Sequence, residues 1–189
     1  MKIINLTEKS KIYTSNVFLI LGYWNAVDDV NTLVDVGRDE NIIKKIENIN
    51  TGLGKKKIDQ VILTHSHSDH AGLLPVIKKV FKPKVYAFNS FVEGIDHVLK
   101  DGDKLMLGDK TFEVFHITAH SNDSICLFCE DEGILFAGDT IFPVKFDNPV
   151  IDKENSYVLS RLQGKNIKTV YYGHGSSQVF KSRKFEIIN

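Results

Sequence analysis

Cysteine, proline, methionine and tryptophan are all scarce in this 189-residue chain: two, four, two and one, respectively. The two cysteines, Cys126 and Cys129, form a C-x-x-C whose spacing invites a redox or metal-binding role. In "SICLFCEDEG", however, the apolar pattern and the turn that follows predict a strand. Positions i and i+3 of a strand face opposite sides, so the pair reads as buried, reduced thiols. Excess charge of either sign is also missing, with 24 Lys+Arg against 24 Asp+Glu. No global field therefore favours nucleic acid or an anionic membrane. The basic stretches Lys55–Lys57 and Lys78–Lys79, with Lys82 and Lys84, lie beside acidic and apolar residues and read as solvated faces. No stretch reaches the roughly 18 apolar residues of a membrane span, and "MKIINLTEKS" has no apolar core of a leader peptide. Repeats, low-complexity tracts and linkers are absent as well. These absences lead us to expect one cytoplasmic domain over residues 1–189, with neither nucleic acid nor a membrane as its partner.

What is present is an orderly alternation of elements. "VFLIL" (17–21) and "TLVDV" (32–36) read as paired strands, and "ENIIKKIENI" spaces Ile42, Ile43, Ile46 and Ile49 as an amphipathic helix. "IDQVIL" (58–63) predicts a buried strand, and "AGLLPVIKKVF" a helix that tolerates Pro75 only in its first turn. Strand "KVYAF" (84–88) and a short helix near Phe91 to Leu99 follow. Two hairpins come next, turning at Gly108-Asp109 and at Asp131-Glu132-Gly133. A helix at about Ser156 to Gln163 then leads to strand "TVYYG" (169–173). Such an order fits a layered domain with mixed sheets.

Histidine is where the chain is uneven. Three of its seven histidines fall in "LTHSHSDHAG", as His65-x-His67-x-Asp69-His70 directly after an apolar strand. In extended backbone His65 and His67 point the same way and can grip one cation together. Once the chain turns into a helix, Asp69 and His70 can face a neighbouring position. Zinc accepts imidazole nitrogen and carboxylate oxygen, and catalysis needs one position left open. Three further candidates each stand where a strand finishes: His120 in "HITAHSNDS", Asp139 in "LFAGDT" and His174 in "YYGHGS". Singly, Asp139 could close a turn and His174 could satisfy a core hydrogen bond. Together, the five histidines and two aspartates suit two metals rather than one.

In their order, H-x-H-x-D-H after a strand, a later histidine, Gly-Asp-Thr and a final Gly-His-Gly resemble the metallo-β-lactamase-fold hydrolases. "NVFLI" followed by "TLVDVG" is similar to that family's N-terminal hairpin, and the likeness runs from about residue 16 to 175. The resemblance implies an α+β fold, a four-layer αββα sandwich of two mixed β-sheets. It also implies that His65, His67 and His120 hold one metal, that Asp69, His70 and His174 hold another, and that Asp139 bridges them. Zinc is the default pair, with iron or manganese suiting the same mixed ligands. The third motif is commonly His-Thr-Pro-Gly-His, whereas His116-Ile-Thr-Ala-His120 lacks both Pro and Gly. Relatives that reduce oxygen or nitric oxide at di-iron usually carry a carboxylate at the position of His67, so this histidine argues against that class.

The resemblance implies a dinuclear metal-dependent hydrolase in which a metal-bridging hydroxide attacks, with Asp69 and Asp139 as catalytic carboxylates. A small thioester or ester substrate, as in glyoxalase II, leads. Against it, that enzyme's glutathione-recognising helical extension has little counterpart in the 15 or so residues after His174. Alternatives are a mononuclear-iron persulfide dioxygenase, or lactonase, β-lactamase or phosphodiesterase activity on the same ligands. Asp35 reads as an orienter of a ligand or loop. His97 reads as a surface histidine on a helix, and His116 as structural or supporting. Lys9 to Ser15, with Tyr13, and "IFPVKFDNP", with Phe142 and Phe146, adjoin the expected pocket.

Overall fold

Residue alternation decides which way each strand faces, and the computed structural model, which describes residues 1–141, 157, 158 and 160–184, follows it closely. In β2 (Phe18–Leu21), Phe18 and Ile20 turn to one side and Leu19 and Leu21 to the other. In β9 (Ile125–Cys129), Ile125, Leu127 and Cys129 join one apolar cluster, and Cys126 and Phe128 join another. Both cysteines are free and buried, on opposite faces as their spacing requires.

Two mixed sheets result. The first runs β1-β2-β3-β4-β5-β6. Its members are β1 (Lys2–Asn5), β2, β3 (Thr32–Val34), β4 (Gln60–Ile62), β5 (Lys84–Ala87) and β6 (His97–Val98). The second runs β12-β11-β10-β9-β8-β7. It contains β7 (Lys104–Leu107), β8 (Lys110–His116), β9, β10 (Ile134–Gly138), β11 (Asn166–Tyr172) and β12 (Gln178–Lys184). Phe18, Ile20, Val34 and Ile62 of the first sheet pack against Phe112, Val114, Leu127 and Phe136 of the second. The outer face of the first sheet is covered by α1 (Asn41–Asn48) through Ile42 and Ile46, and by α3 (Leu74–Phe81) through Leu74 and Ile77. Val158 and Leu162 pack on the outer face of the second. Residues 157, 158, 160 and 161 are helical, while 156 and 159 of the expected helix lie outside the described residues. The layers are thus helix, sheet, sheet, helix, an αββα sandwich.

One expected element is replaced. In place of a helix near Phe91 to Leu99 the chain makes a turn and the two-residue β6 paired with β5. Gly94 adopts φ +96°, which breaks a helix, and Asp96 accepts a hydrogen bond from the Val85 amide at 2.8 Å while pairing with Lys78. His97 therefore lies on an edge strand, stacked on Tyr86, rather than on a helix. Pro75 stands in the first turn of α3, as required. No helix among the described residues is long and apolar enough to cross a membrane.

The inter-sheet layer carries most of the buried aromatic volume. Phe112→Ala, at a fully buried site beside Phe136, should cost about 3–5 kcal/mol in urea unfolding. Leu53→Ala, at a fully exposed site, should stay within about 0.5 kcal/mol.

Candidate metal centre

Strand direction gathers the site. β3 and β4 run parallel, and so do β10 and β11. β9 is antiparallel to both β8 and β10, so β8 points the same way as β10. The segments leaving β3, β4, β8, β10 and β11 carry Asp35, His65 to His70, His120, Asp139 and His174 to one rim. Backbone hydrogen bonds tie the two sheets there: Ile125 N donates to Thr64 O at 2.9 Å and Asn16 N to Gly173 O at 2.6 Å.

All seven candidate ligands meet. His65, His67 and His120 form one group, His65, His70 and Asp139 a second, and Asp69, His70 and His174 a third. Within each group the ligating atoms lie within 4.8 Å of one another. His67 Nδ1 is 3.1 Å from His65 Nε2 and 3.0 Å from His120 Nε2. Asp139 stands between the sets, with Oδ1 3.2 Å from His70 Nε2 and Oδ2 at 3.7 and 3.6 Å from His120 and His174 Nε2. His174 Nε2 lies 3.1 Å from Asp69 Oδ2.

Local conformation serves these contacts. Short α2 (Ser68–Ala71) turns His70 inward, its ring centroid 4.1 Å from that of His65, and brings Asp69 beside His174. Gly173 is needed before His174, because a Cβ there would lie 2.2 Å from Asp139 Oδ1 and 2.6 Å from His70 Cε1. Asp35 holds φ +60°, uncommon for a residue with a side chain, and so aims its carboxylate beneath His70. Its Oδ2 is 2.8 Å from His70 Nδ1, and its Oδ1 accepts from Thr64 N at 2.8 Å. The supporting role expected of Asp35 is what the geometry provides.

Charge is strongly shared. Burial opposes a proton on His70, yet the carboxylates of Asp35 and Asp139 outweigh it and raise its pKa to about 10. Burial, then repulsion from His70, lowers His65 to about 4. Burial would raise Asp139, but the adjacent His70 at 3.2 Å, followed by His174 and His65, brings it to about 2. With Nδ1 held by Asp35, His70 presents Nε2 towards the other ligands.

Among the described residues, three buried polar atoms here lack a hydrogen-bond partner: His70 Nε2, Asp139 Oδ1 and His174 Nε2. Each such atom is costly, by about 1–3 kcal/mol. All three are nitrogen or carboxylate oxygen and belong to the candidate groups, which fits a cation of the zinc or iron type.

His97 and His116 stay out of the groups. The His116 ring stacks on Phe88 at 3.6 Å and its Nε2 meets the Asn122 carbonyl at 2.9 Å. Tyr13 does reach the rim, stacking on His174 at 5.3 Å with its ring mostly exposed. Phe142 and Phe146 lie outside the described residues. A cavity of about 400 Å³ opens beside His120, Asp139 and His174, walled by Ile141, Tyr172 and Gln178. Another, of about 450 Å³ between Asn5, Asn16 and Ser176, contains none of the seven side chains. Sequence reasoning missed Asn16, whose Nδ2 donates to the carbonyls of Tyr172 and Gly175 and so pins the His174 loop. It also missed Thr64, whose hydroxyl touches Asp35 and His65. The position of Thr64, between the strand and His65, was the available signal; a lone Asn before a strand gave none.

A hydroxyacylglutathione hydrolase of Chromohalobacter salexigens is 32% identical over 116 residues, 60% of this chain and 44% of that protein. One from Rhizobium etli is 32% identical over 126 residues, 62% of this chain and 48% of its own length. The chain thus spans less than half the length of these relatives. Among solved structures, TTHA1623 in a di-iron-bound form superposes with TM-score 0.68 at 20% identity, covering 95% of this chain and 94% of that one. ETHE1 from Myxococcus xanthus gives 0.67 at 18%, covering 97% and 78%. The family model for the metallo-beta-lactamase superfamily matches residues 12–174, from the Tyr13 segment to His174, and the chain belongs to that superfamily.

Proposed function

We propose that the protein is a hydrolase that works with two divalent cations, zinc by default, on a small thioester or ester. The observation that carries this reading is the meeting of three groups of candidate ligands, drawn from five histidines and two aspartates, at one rim open to solvent, with three buried polar atoms there lacking a partner among the described residues. The hydroxyacylglutathione hydrolases among its relatives support the substrate class. His65, His67 and His120 would hold one cation, Asp69, His70 and His174 the other, with Asp139 shared. When bound, such a pair lowers the pKa of water into the neutral range and polarises a carbonyl.

The chain's own residues supply the rest. Asp69, partly buried beside His174, orients the attacking water and accepts its proton. Asp35 keeps the His70 ring in one tautomer and orientation. Ile141 and Tyr172 give the adjoining cavity an apolar wall that suits an acyl group, and Tyr13 covers His174 from solvent. No side-chain nucleophile is required: Cys126 is fully buried and burial pushes its thiol up to about 12.

Elemental analysis of protein expressed with ample metal should return about two transition-metal ions per chain. One ion or none would remove the dinuclear reading.

Asp139→Ala should lower turnover of a model thioester by more than about 100-fold, beyond the loss usual for a residue that only orients a ligand. It should also deplete both metals, where His120→Ala depletes one. Retention of both metals and near-native turnover in Asp139→Ala would end the bridging assignment.

The Cys126→Ser/Cys129→Ser double variant should keep its turnover and lose only stability. A folded, fully metallated double variant without activity would show that a thiol, and not activated water, attacks.

A further inference from the structure

The hairpin that carries His174 also brings two polar side chains to the outer face of the second sheet. β11 and β12 pair antiparallel, with Val170 opposite Gln178. Val170 is buried on that outer face, and Tyr172 packs on the same side. Gln178 therefore falls diagonal to Tyr172 across the ladder, within reach of long side chains. Contact is made: the Tyr172 hydroxyl donates to Gln178 Oε1 at 2.9 Å.

That bond gives the two ends of the amide different tasks. Oε1 is engaged by the hydroxyl, whereas Nε2, which carries two N–H donors, has no hydrogen-bond partner among the described residues. Gln178 is only partly exposed, and it lines the cavity of about 400 Å³ shared with His120, Asp139 and His174. Gly138, Ile141 and Tyr172 complete that lining. Apart from the candidate ligands, its polar side-chain groups are the Tyr172 hydroxyl, held on Gln178, and the Gln178 amide itself. An otherwise apolar wall takes its selectivity from such a placed group.

We propose that Gln178 is a specificity-determining residue, whose amide N–H recognises an acceptor oxygen on the substrate's acyl chain beyond the α-carbon. Tyr172 acts as its positioning residue, because the hydroxyl on Oε1 keeps the N–H end turned toward the cavity. An amide donor serves a hydroxyl or a keto oxygen alike and finds no partner on a plain alkyl chain. A chain without oxygen covers the donor and leaves it unsatisfied, so it is rejected as well as unassisted. The inference rests on the reading of the centre as a thioester or ester hydrolase.

Pentanoyl, β-hydroxypentanoyl and γ-ketopentanoyl thioesters of N-acetylcysteamine, given to the metal-loaded protein, test it. Wild-type kcat/KM should favour at least one oxygenated chain over pentanoyl by about tenfold, the yield of one hydrogen bond. Gln178→Leu, which keeps the bulk and removes the donor, should bring that ratio to within about twofold of unity. Tyr172→Phe should narrow it part of the way, since the amide is then free to turn. Should Gln178→Leu fail to fold, Gln178→Glu, alike in shape but an acceptor only, carries the measurement. A merely structural role would lower all three substrates together and leave the ratio as it was. That result overturns the proposal, and so does a wild-type protein without any preference. A protein that turns over none of the three refutes the thioester reading alone. Gln178 is then judged by calorimetry with the free acids. β-Hydroxypentanoate or γ-ketopentanoate should bind the metal-loaded protein more tightly than pentanoate, and only while Gln178 is present. Equal binding of all three acids overturns the proposal.

Discussion

A buried imidazole between two carboxylates is the interaction on which the rest of the centre depends. His70 is fully enclosed, with Asp35 at 2.8 Å on one nitrogen and Asp139 at 3.2 Å from the other. Taking carboxylates out of water is expensive, and two are tolerated here because the imidazole between them offers a nitrogen to each. That compensation explains the left-handed backbone of Asp35 and the glycine at 173, each of which exists to let these groups approach. It also explains why α2 is a single turn: His70 must turn inward within a few residues of His67, which faces out.

Sheet topology then supplies the other members at little additional cost. Parallel neighbours in each sheet end together, so residues far apart in sequence arrive at one rim without long connections. The first sheet contributes His65, His67, Asp69 and His70, and the second contributes His120, Asp139 and His174. Each sheet thus holds half of a centre that neither could form. The apolar layer of Phe18, Phe112 and Phe136 sets how far apart the halves stand.

Legibility in the sequence followed burial. Strands with two covered faces, such as β2, β4 and β9, show their apolar runs plainly, and the ligands at their ends could be read from position. β1, β6 and β12 were not expected. All three are edge strands, and β1 and β6 are largely uncovered, so their apolar pattern is weak. The segment 91–99 carries apolar residues at spacings that also suit a helix; Gly94 and the Asp96 contacts with Val85 and Lys78 decide otherwise, and those contacts exist only in the folded chain. For the same reason Asp35 could be singled out beside its glycine turn, while Asn16 could not: its significance lies in a loop that meets it from a distant part of the chain.

The division of the ligands between two sheets has a mechanical side. A cation gripping residues from both would act as a cross-link at one pole of the sandwich, so its affinity would appear directly as resistance of that pole to opening. At the opposite pole the isolated bridge between Val30 and Gly108 joins the two sheets. Stripped of cations, the rim would be held across the sheets by backbone hydrogen bonds such as Ile125 N to Thr64 O and Asn16 N to Gly173 O. Amide hydrogens around His120 and His174 would then exchange with solvent well before those of the shared apolar layer.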